Sequence, residues 1–374
     1  MYEMKGIRYA EGLFRFLLAT AMAWLGCIAL VSCDQGDTGA ENTEAHITLT
    51  LCMKGTDTDN YTRIGQSGGK QIASRSEDDE TDEPGTEMEN SIDLSRFHVV
   101  FYQTNQQMAG ILQNMVLVHL GGNIYRLTGS LPVSNKVLVG NHFEGKMVVY
   151  ANFNMSSDDL QKGYNDEIIA QKAFDYEANP EYLPMWGVKK VDFTLAAGKC
   201  QDFSDIDLLR AVAKVKVNLS NDMKKNGWSI HSMQLFNYNN KGYCMPGKYT
   251  NCEQTASLTH EEFEHFFNSR QTSGITMTDD VPIYLPEYQN NGQKDANKCV
   301  IKLKLARNGT VESDKEYTLR FIDYTDQGTE GTTINDIVRD HYYTFEVYKG
   351  SNGQNLVKLT VRKWNVRNHE DIVM

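Results

Sequence analysis

The 374-residue chain has none of the short signatures of a catalytic or nucleotide-binding centre: no P-loop, dinucleotide-binding glycine fingerprint, nucleophile elbow or Cys-x-x-Cys pair. Its nine histidines are scattered, and no cysteine spacing resembles a zinc site, so the sequence gives no cofactor or metal to place and argues against an enzyme. The chain also has little positive charge. With 37 Lys+Arg against 49 Asp+Glu, the net charge of −12 argues against nucleic acid as a partner. Cysteine is sparse as well. Setting aside Cys27 and Cys33 near the N-terminus leaves Cys52, Cys200, Cys244, Cys252 and Cys299, an odd set that cannot all pair within one chain. Cys244 and Cys252 flank a Pro-Gly turn and could close a small loop, but buried thiols are the expectation for most of the five.

His260-Glu-Glu-Phe-Glu-His265 comes near a zinc-protease motif, but the second histidine is one residue too far along to share a face with the first. Thr259 and Glu262 stand instead at capping-box spacing, and Phe263, Phe266 and Phe267 supply a buried face, so the stretch predicts a short amphipathic helix. Trp186 and Trp364 are single residues, and neither defines a sugar platform.

The first residues do carry a signal. Lys5, Arg8 and Arg15 precede the apolar run Phe16 to Val31, which ends in Leu30-Val-Ser-Cys33. The run is shorter than the roughly 20 residues needed to span a bilayer. Its charge placement and the small residue before the cysteine read as a signal peptide over residues 1–32, with Cys33 as the lipidated first residue of the mature chain.

A polar tether then leads to Ala45-His-Ile-Thr-Leu-Thr-Leu-Cys-Met53, where Ile47, Leu49, Leu51 and Met53 alternate with polar residues as on a strand with one buried face. Lys54 to Asn90 has almost no apolar residues and carries Arg63, Lys70 and Arg75 in an exposed setting. Ser76 to Asp93 holds nine acidic residues and no basic one; it lacks the spacing of a calcium loop and reads as a disordered linker. The strand at 46–53 is thus held to the body by little beyond its sheet contacts, and we read it as removable.

Further on, strands are expected at Phe97 to Tyr102, Met115 to Leu120, Tyr125 to Thr128, Lys146 to Asn152 and Val191 to Leu195, interrupted by one helix from Ser157 to Ala178. The polar passage Ala196 to Asp207 reads as a domain boundary, dividing the body into an N-terminal domain, 76–200, and a C-terminal domain, 201–374. Leu209 to Leu219 puts Ala211, Ala213, Val215, Val217 and Leu219 on one face, with Arg210, Lys214, Lys216 and Asn218 on the other. Six more strands follow, ending with Tyr342 to Tyr348 and Leu356 to Val361. The chain is therefore mainly β in both domains, with short helical insertions.

The lipobox at Cys33, the strand Phe97 to Tyr102, Lys146-Met-Val-Val-Tyr-Ala-Asn152, Leu183-Pro-Met-Trp-Gly187, Leu209-Arg-Ala-Val-Ala-Lys-Val-Lys-Val217 and Arg339-Asp-His-Tyr-Tyr-Thr-Phe345 occur in this order. Together they resemble the fimbrillins of the type V fimbriae of Bacteroidetes over nearly the whole mature chain, with Asp340 where that pattern has Asn. The resemblance implies two β-sandwich-like, transthyretin-like domains and no cofactor. It implies a subunit delivered to the outer membrane as a lipoprotein and cut after an arginine by a surface Arg-specific protease, Arg75 being the first candidate and Arg63 the second. It further implies head-to-tail assembly with other fimbrial subunits, in which the first strand is lost and another subunit's C-terminal strand fills its place. By that analogy the donor region is 356–366, with Val357, Leu359, Val361 and Trp364 as its apolar residues. The competing expectations are a tip or accessory subunit, and a monomeric surface lipoprotein that binds glycan or a host ligand.

Overall fold

The computed structural model describes residues 43–53, 85–121, 123–312, 315–325, 327–351 and 353–364. Cys33, Arg63, Arg75 and Val366 lie outside them.

The N-terminal domain is two sheets face to face. The first has the order β4-β5-β1-β9, from β1 (Glu44–Cys52), β4 (Gln113–Gly121), β5 (Ile124–Pro132) and β9 (Cys200–Asp207). The second has the order β10-β8-β6-β2-β3, from β2 (Phe97–Gln103), β3 (Met108–Ile111), β6 (His142–Ala151), β8 (Met185–Thr194) and β10 (Leu209–Arg210). Ile47, Leu49 and Leu51 from the first sheet meet Phe101, Val149 and Phe193 from the second in one apolar core. The second sheet is covered on its other face too. Val100, Val148 and Trp186 pack there against Tyr164 and Ile169 and against Met245, Tyr249 and Phe263 from the C-terminal half. This double burial is why β2 reads as an almost unbroken apolar run.

The C-terminal domain repeats the plan. One sheet has the order β17-β11-β23-β24, from β11 (Ala213–Leu219), β17 (Ile283–Leu285), β23 (His341–Lys349) and β24 (Asn355–Lys363). The other combines β12 (Trp228–Phe236), β16 (Ile275–Thr276), β18 (Val300–Arg307), β19 (Thr310–Val311) and β20 (Tyr317–Arg320), with β18 central. Two small ribbons, β13 (Tyr238–Asn239) with β15 (Arg270–Gln271) and β21 (Ile322–Tyr324) with β22 (Glu330–Ile334), decorate it. A third ribbon, β7 (Ala173–Asp175) with β14 (Lys241–Tyr243), crosses between the domains. The described helices are single turns: α1 (Glu87–Asn90), α2 (Ser157–Leu160), α3 (Glu167–Ala170), α4 (Asn221–Lys225) and α5 (His260–Phe263), the last with the Thr259–Glu262 capping box.

Four expectations need correction. The passage 196–207 is no boundary. It contains β9, which pairs in parallel with β1, and the N-terminal domain continues to Arg210. Leu209 to Leu219 is accordingly two strands belonging to different domains, and Arg210 and Lys214, expected on a solvent face, are 0% and 4% exposed. The helix expected over 157–178 is two turns, α2 and α3, followed by β7. The described part of the acidic stretch 76–93, residues 85–93, is folded: Thr86 caps α1 and Glu89 is fully buried.

Candidate functional site

The first strand lies in the middle of its sheet. β1 runs antiparallel to β5 over nine positions, from Glu44 opposite Pro132 to Cys52 opposite Ile124, and parallel to β9 on its other edge. Both ends are fastened. His46 N–H donates to the Lys199 carbonyl at 2.9 Å, Leu208 N–H to the Cys52 carbonyl at 2.7 Å, and the Asn123 amide to the Met53 carbonyl at 3.1 Å. Ala45, Ile47, Leu49, Leu51 and Met53 are each 0% exposed. Full burial of the four large side chains among them stabilises by roughly 1.5–3 kcal/mol each, on the order of 6–12 kcal/mol together. That rivals the roughly 5–15 kcal/mol of net stability of a typical domain, so this sheet needs a strand in this seat.

The solvent face of β1 is clasped. From β5, Arg126 reaches diagonally across the strand and donates to the Thr50 hydroxyl at 3.1 Å, the Thr48 hydroxyl at 3.2 Å and the Asp202 carboxylate on β9 at 2.7 Å. Yet no covalent cross-link holds β1, since Cys52, Cys200, Cys244, Cys252 and Cys299 form no disulfide. Burial pushes the Cys252 thiol up to about 11 and raises the Cys244 and Cys299 thiols further, so they are protonated at neutral pH. β1 is joined to the rest of the body only through residues 54–84.

Where the chain re-enters described structure, it is pinned at once between the domains. The Glu89 carboxylate pairs with the Lys214 ammonium at 2.9 Å and accepts from the Tyr284 hydroxyl at 2.6 Å, while its other oxygen caps Thr86 N–H at 2.8 Å. Arg210 donates to the Glu89 carbonyl, to Asn90 at 2.5 Å and to Asp340 at 3.4 Å, and its guanidinium lies over the Trp364 ring at 4.6 Å. Burial lowers the Arg210 pKa against the pull of Asp340 and Glu89; burial and the Glu89 carboxylate raise the Tyr284 phenol. The network holds the end of β24: the Trp364 ring stacks on Tyr284 at 5.7 Å, and the Trp364 backbone N–H donates to the Asp340 carbonyl at 2.9 Å. Asp340 has φ +55°, a left-handed conformation in which Asp and Asn are both favoured, and Arg210 answers its charge. A second buried pair, Arg339 with Glu287 at 2.7 Å, ties the start of β23 to the carbonyls of Tyr243 and Cys244.

The structure therefore separates the residues expected to act as donor and acceptor. Ile47, Leu49, Leu51 and Met53 line the N-terminal core, whereas Val357, Leu359 and Val361 are half-buried against the C-terminal core on β24, which among the described residues is an edge strand paired only with β23. Trp364, out of phase with them, is buried beside the domain junction with Leu183, Val212 and Tyr284. Sequence reasoning missed Arg126, Asp202 and the Arg210–Glu89 network. Of these only Glu89 left a signal, the Thr86-x-x-Glu89 capping-box spacing. Among the described residues no group of three or more His, Cys, Asp or Glu could hold a metal ion.

Residues 79–370 match the family of fimbrillin-A associated anchor proteins Mfa1 and Mfa2. The chain belongs to that family. Among solved structures, the Mfa1/Mfa2-family chain is similar to a proposed cell adhesion protein from Parabacteroides distasonis, with TM-score 0.50, 15% identity and coverage of 87% of this chain and 99% of that one. It is also similar to the tip fimbrial protein Mfa3 from Porphyromonas gingivalis, solved with a C-terminal truncation, with TM-score 0.47, 12% identity and coverage of 86% and 100%. The first of these likenesses, at 15% identity, speaks to the fold alone. No curated protein matches the chain.

Proposed function

We propose that this chain is a cell-surface fimbrial subunit, exported as a lipoprotein on Cys33, cut after Arg75 or Arg63, and built into a fimbrium by replacement of β1 with a strand from another subunit. The carrying observation is the combination found at β1: a central strand, buried on its core face, whose only covalent route to the body is residues 54–84. A cut in that segment converts β1 from part of the chain into a bound ligand. Its departure opens an apolar groove and two rows of unpaired backbone groups, which another strand of matching alternation satisfies. Partners are then other fimbrial subunits, the outer membrane through the lipid before processing, and an Arg-specific protease at the surface.

A second reading, a terminal or accessory subunit that accepts a strand without giving one, is favoured by β24. To donate Val357, Leu359 and Val361, the chain would have to strip nine register pairs from β23 and withdraw Trp364 from its stack on Tyr284. The deciding experiment is the N-terminal sequence and intact mass of protein sheared from the cell surface. A start at Ser76, or at Ile64 after Arg63, supports loss of β1; a lipidated start at Cys33 removes it. Arg75→Ala is expected to leave full-length lipidated precursor at the membrane, and normal polymer from that variant would take Arg75 out of the mechanism.

A further inference from the structure

We infer that Arg126 and Asp202 read the outer face of the strand occupying the β1 seat, and that the incoming strand comes from a different subunit, because the seat disfavours this chain's own β24. The inference rests on the reading of β1 as replaceable. Thr50 stands opposite Arg126 in the β1–β5 register and Thr48 opposite Asp202 in the β1–β9 register, so the Arg126–Asp202 ion pair crosses the strand on a diagonal. Two hydroxyls beneath the guanidinium accept from it, and one carboxylate balances it. Both clasp residues belong to strands that stay when β1 leaves. Any successor must therefore present its residues 48 and 50 equivalents to the Arg126 guanidinium and its remaining partner, Asp202.

β24 has the apolar alternation for the seat but the wrong charges between. With Val357, Leu359 and Val361 placed on three successive core-facing positions among Ala45, Ile47, Leu49, Leu51 and Met53, the intervening Lys358, Thr360 and Arg362 fall on the solvent face. In each of the three such registers, and with the strand running in either direction, Lys358 or Arg362 lands at position 48 or 50. At position 50 a second cation stands directly opposite Arg126, where like charges are unfavourable; at position 48 it stands opposite Asp202 and competes with Arg126 for that one carboxylate. In either place a hydroxyl acceptor of Arg126 is lost. The partner strand that fits carries apolar residues at alternate positions with hydroxyl or other neutral acceptor groups at the two positions under Arg126.

The test uses the mature chain nicked within residues 54–84 and three labelled peptides: residues 43–53, the same peptide with Thr48→Lys and Thr50→Lys, and residues 354–364. Incorporation is read by native mass spectrometry. The 43–53 peptide is expected to enter, and the other two to enter at least tenfold less, with the discrimination falling to near parity in an Arg126→Gln chain. Equal entry of all three into the unaltered chain overturns the inference. As a check independent of exchange, Thr50→Lys in the uncut chain is expected to lower Tm, and Arg126→Gln to cancel most of that drop; additive effects would overturn the clasp as a reader of the strand. Failure of even the 43–53 peptide to enter, with the cycle non-additive, would instead remove strand replacement and with it the selection of a foreign strand, leaving the clasp as a fastener of β1.

Discussion

β1 and β24 are each nine residues long, each alternates apolar and polar residues, and each has one neighbour in an antiparallel ladder of nine pairs. Their positions make them opposites. β1 is paired on both edges and its core face is wholly buried, whereas β24 closes the edge of its sheet and its apolar residues are half-exposed. β1 is nevertheless the one tied to the body by a single polar segment, while β24 is fastened at its end by Trp364. The strand that the sheet needs most is the one the covalent chain holds least. Such a separation of energetic from covalent attachment is what the proposed replacement of β1 calls for. A strand with the reverse assignment, such as β24, is harder to lend.

The comparison breaks first at the core positions. Leu49→Asp places an unpaired carboxylate in the N-terminal core and is expected to cost at least about 4 kcal/mol, a large fraction of the net stability of a typical domain. Leu359→Asp, at a half-exposed edge position, is expected to leave the chain folded. Circular dichroism with urea titration of both variants checks this, and similar losses from the two would mean that the edge position of β24 does not matter.

How much of this contrast the sequence could carry is shown by particular strands. β1, β11, β23 and β24 are legible because one buried face imposes a period of two. β9 is not, since its two core residues, Phe203 and Ile206, lie three apart across a register shift opposite Leu49 and Leu51, so the alternation is lost and polar residues dominate. Arg210 and Lys214 look like solvent-face cations because the groups that permit their burial, Asp340 and Glu89, lie more than a hundred residues away in the chain. The seat was readable from Ile47 to Met53 alone. Its clasp was not, as nothing local marks Arg126 as the partner of Asp202.

The fastening of β24 is broken at Trp364. Trp364→Ala removes a ring that is 1% exposed, stacked on Tyr284 and capped by Arg210, and is expected to cost about 3 kcal/mol. Its effect should be local as well as global. Amides of β24 are expected to exchange faster with solvent deuterium while those of β1 keep their relative protection. Uniform loss across both strands would mean that Trp364 serves the whole junction rather than the end of β24.

The smallest expected effect is one of pH, and it falls on one side of the comparison. Burial holds the His265 imidazole below its ordinary pKa, with its Nδ1 against the Met245 carbonyl and Arg339 nearby, and its ring stacks on Tyr243 of the interdomain ribbon. The unfolded chain takes up its proton near the ordinary value of about 6.5. The folded chain does so only at lower pH. His265 therefore costs nothing above that value and destabilises progressively as pH falls from it toward the folded pKa. The core face of β1 is wholly apolar and its one histidine, His46, is exposed on the other face, so acid to pH 5 should loosen the ribbon β7–β14 before β1. His98 in β2 is depressed in the same direction, so the measurement belongs in a His98→Gln background. There, hydrogen exchange at pH 7 and pH 5 is expected to differ at β14, and His265→Gln to remove the difference; an unchanged pH response in that variant would place the titrating group elsewhere.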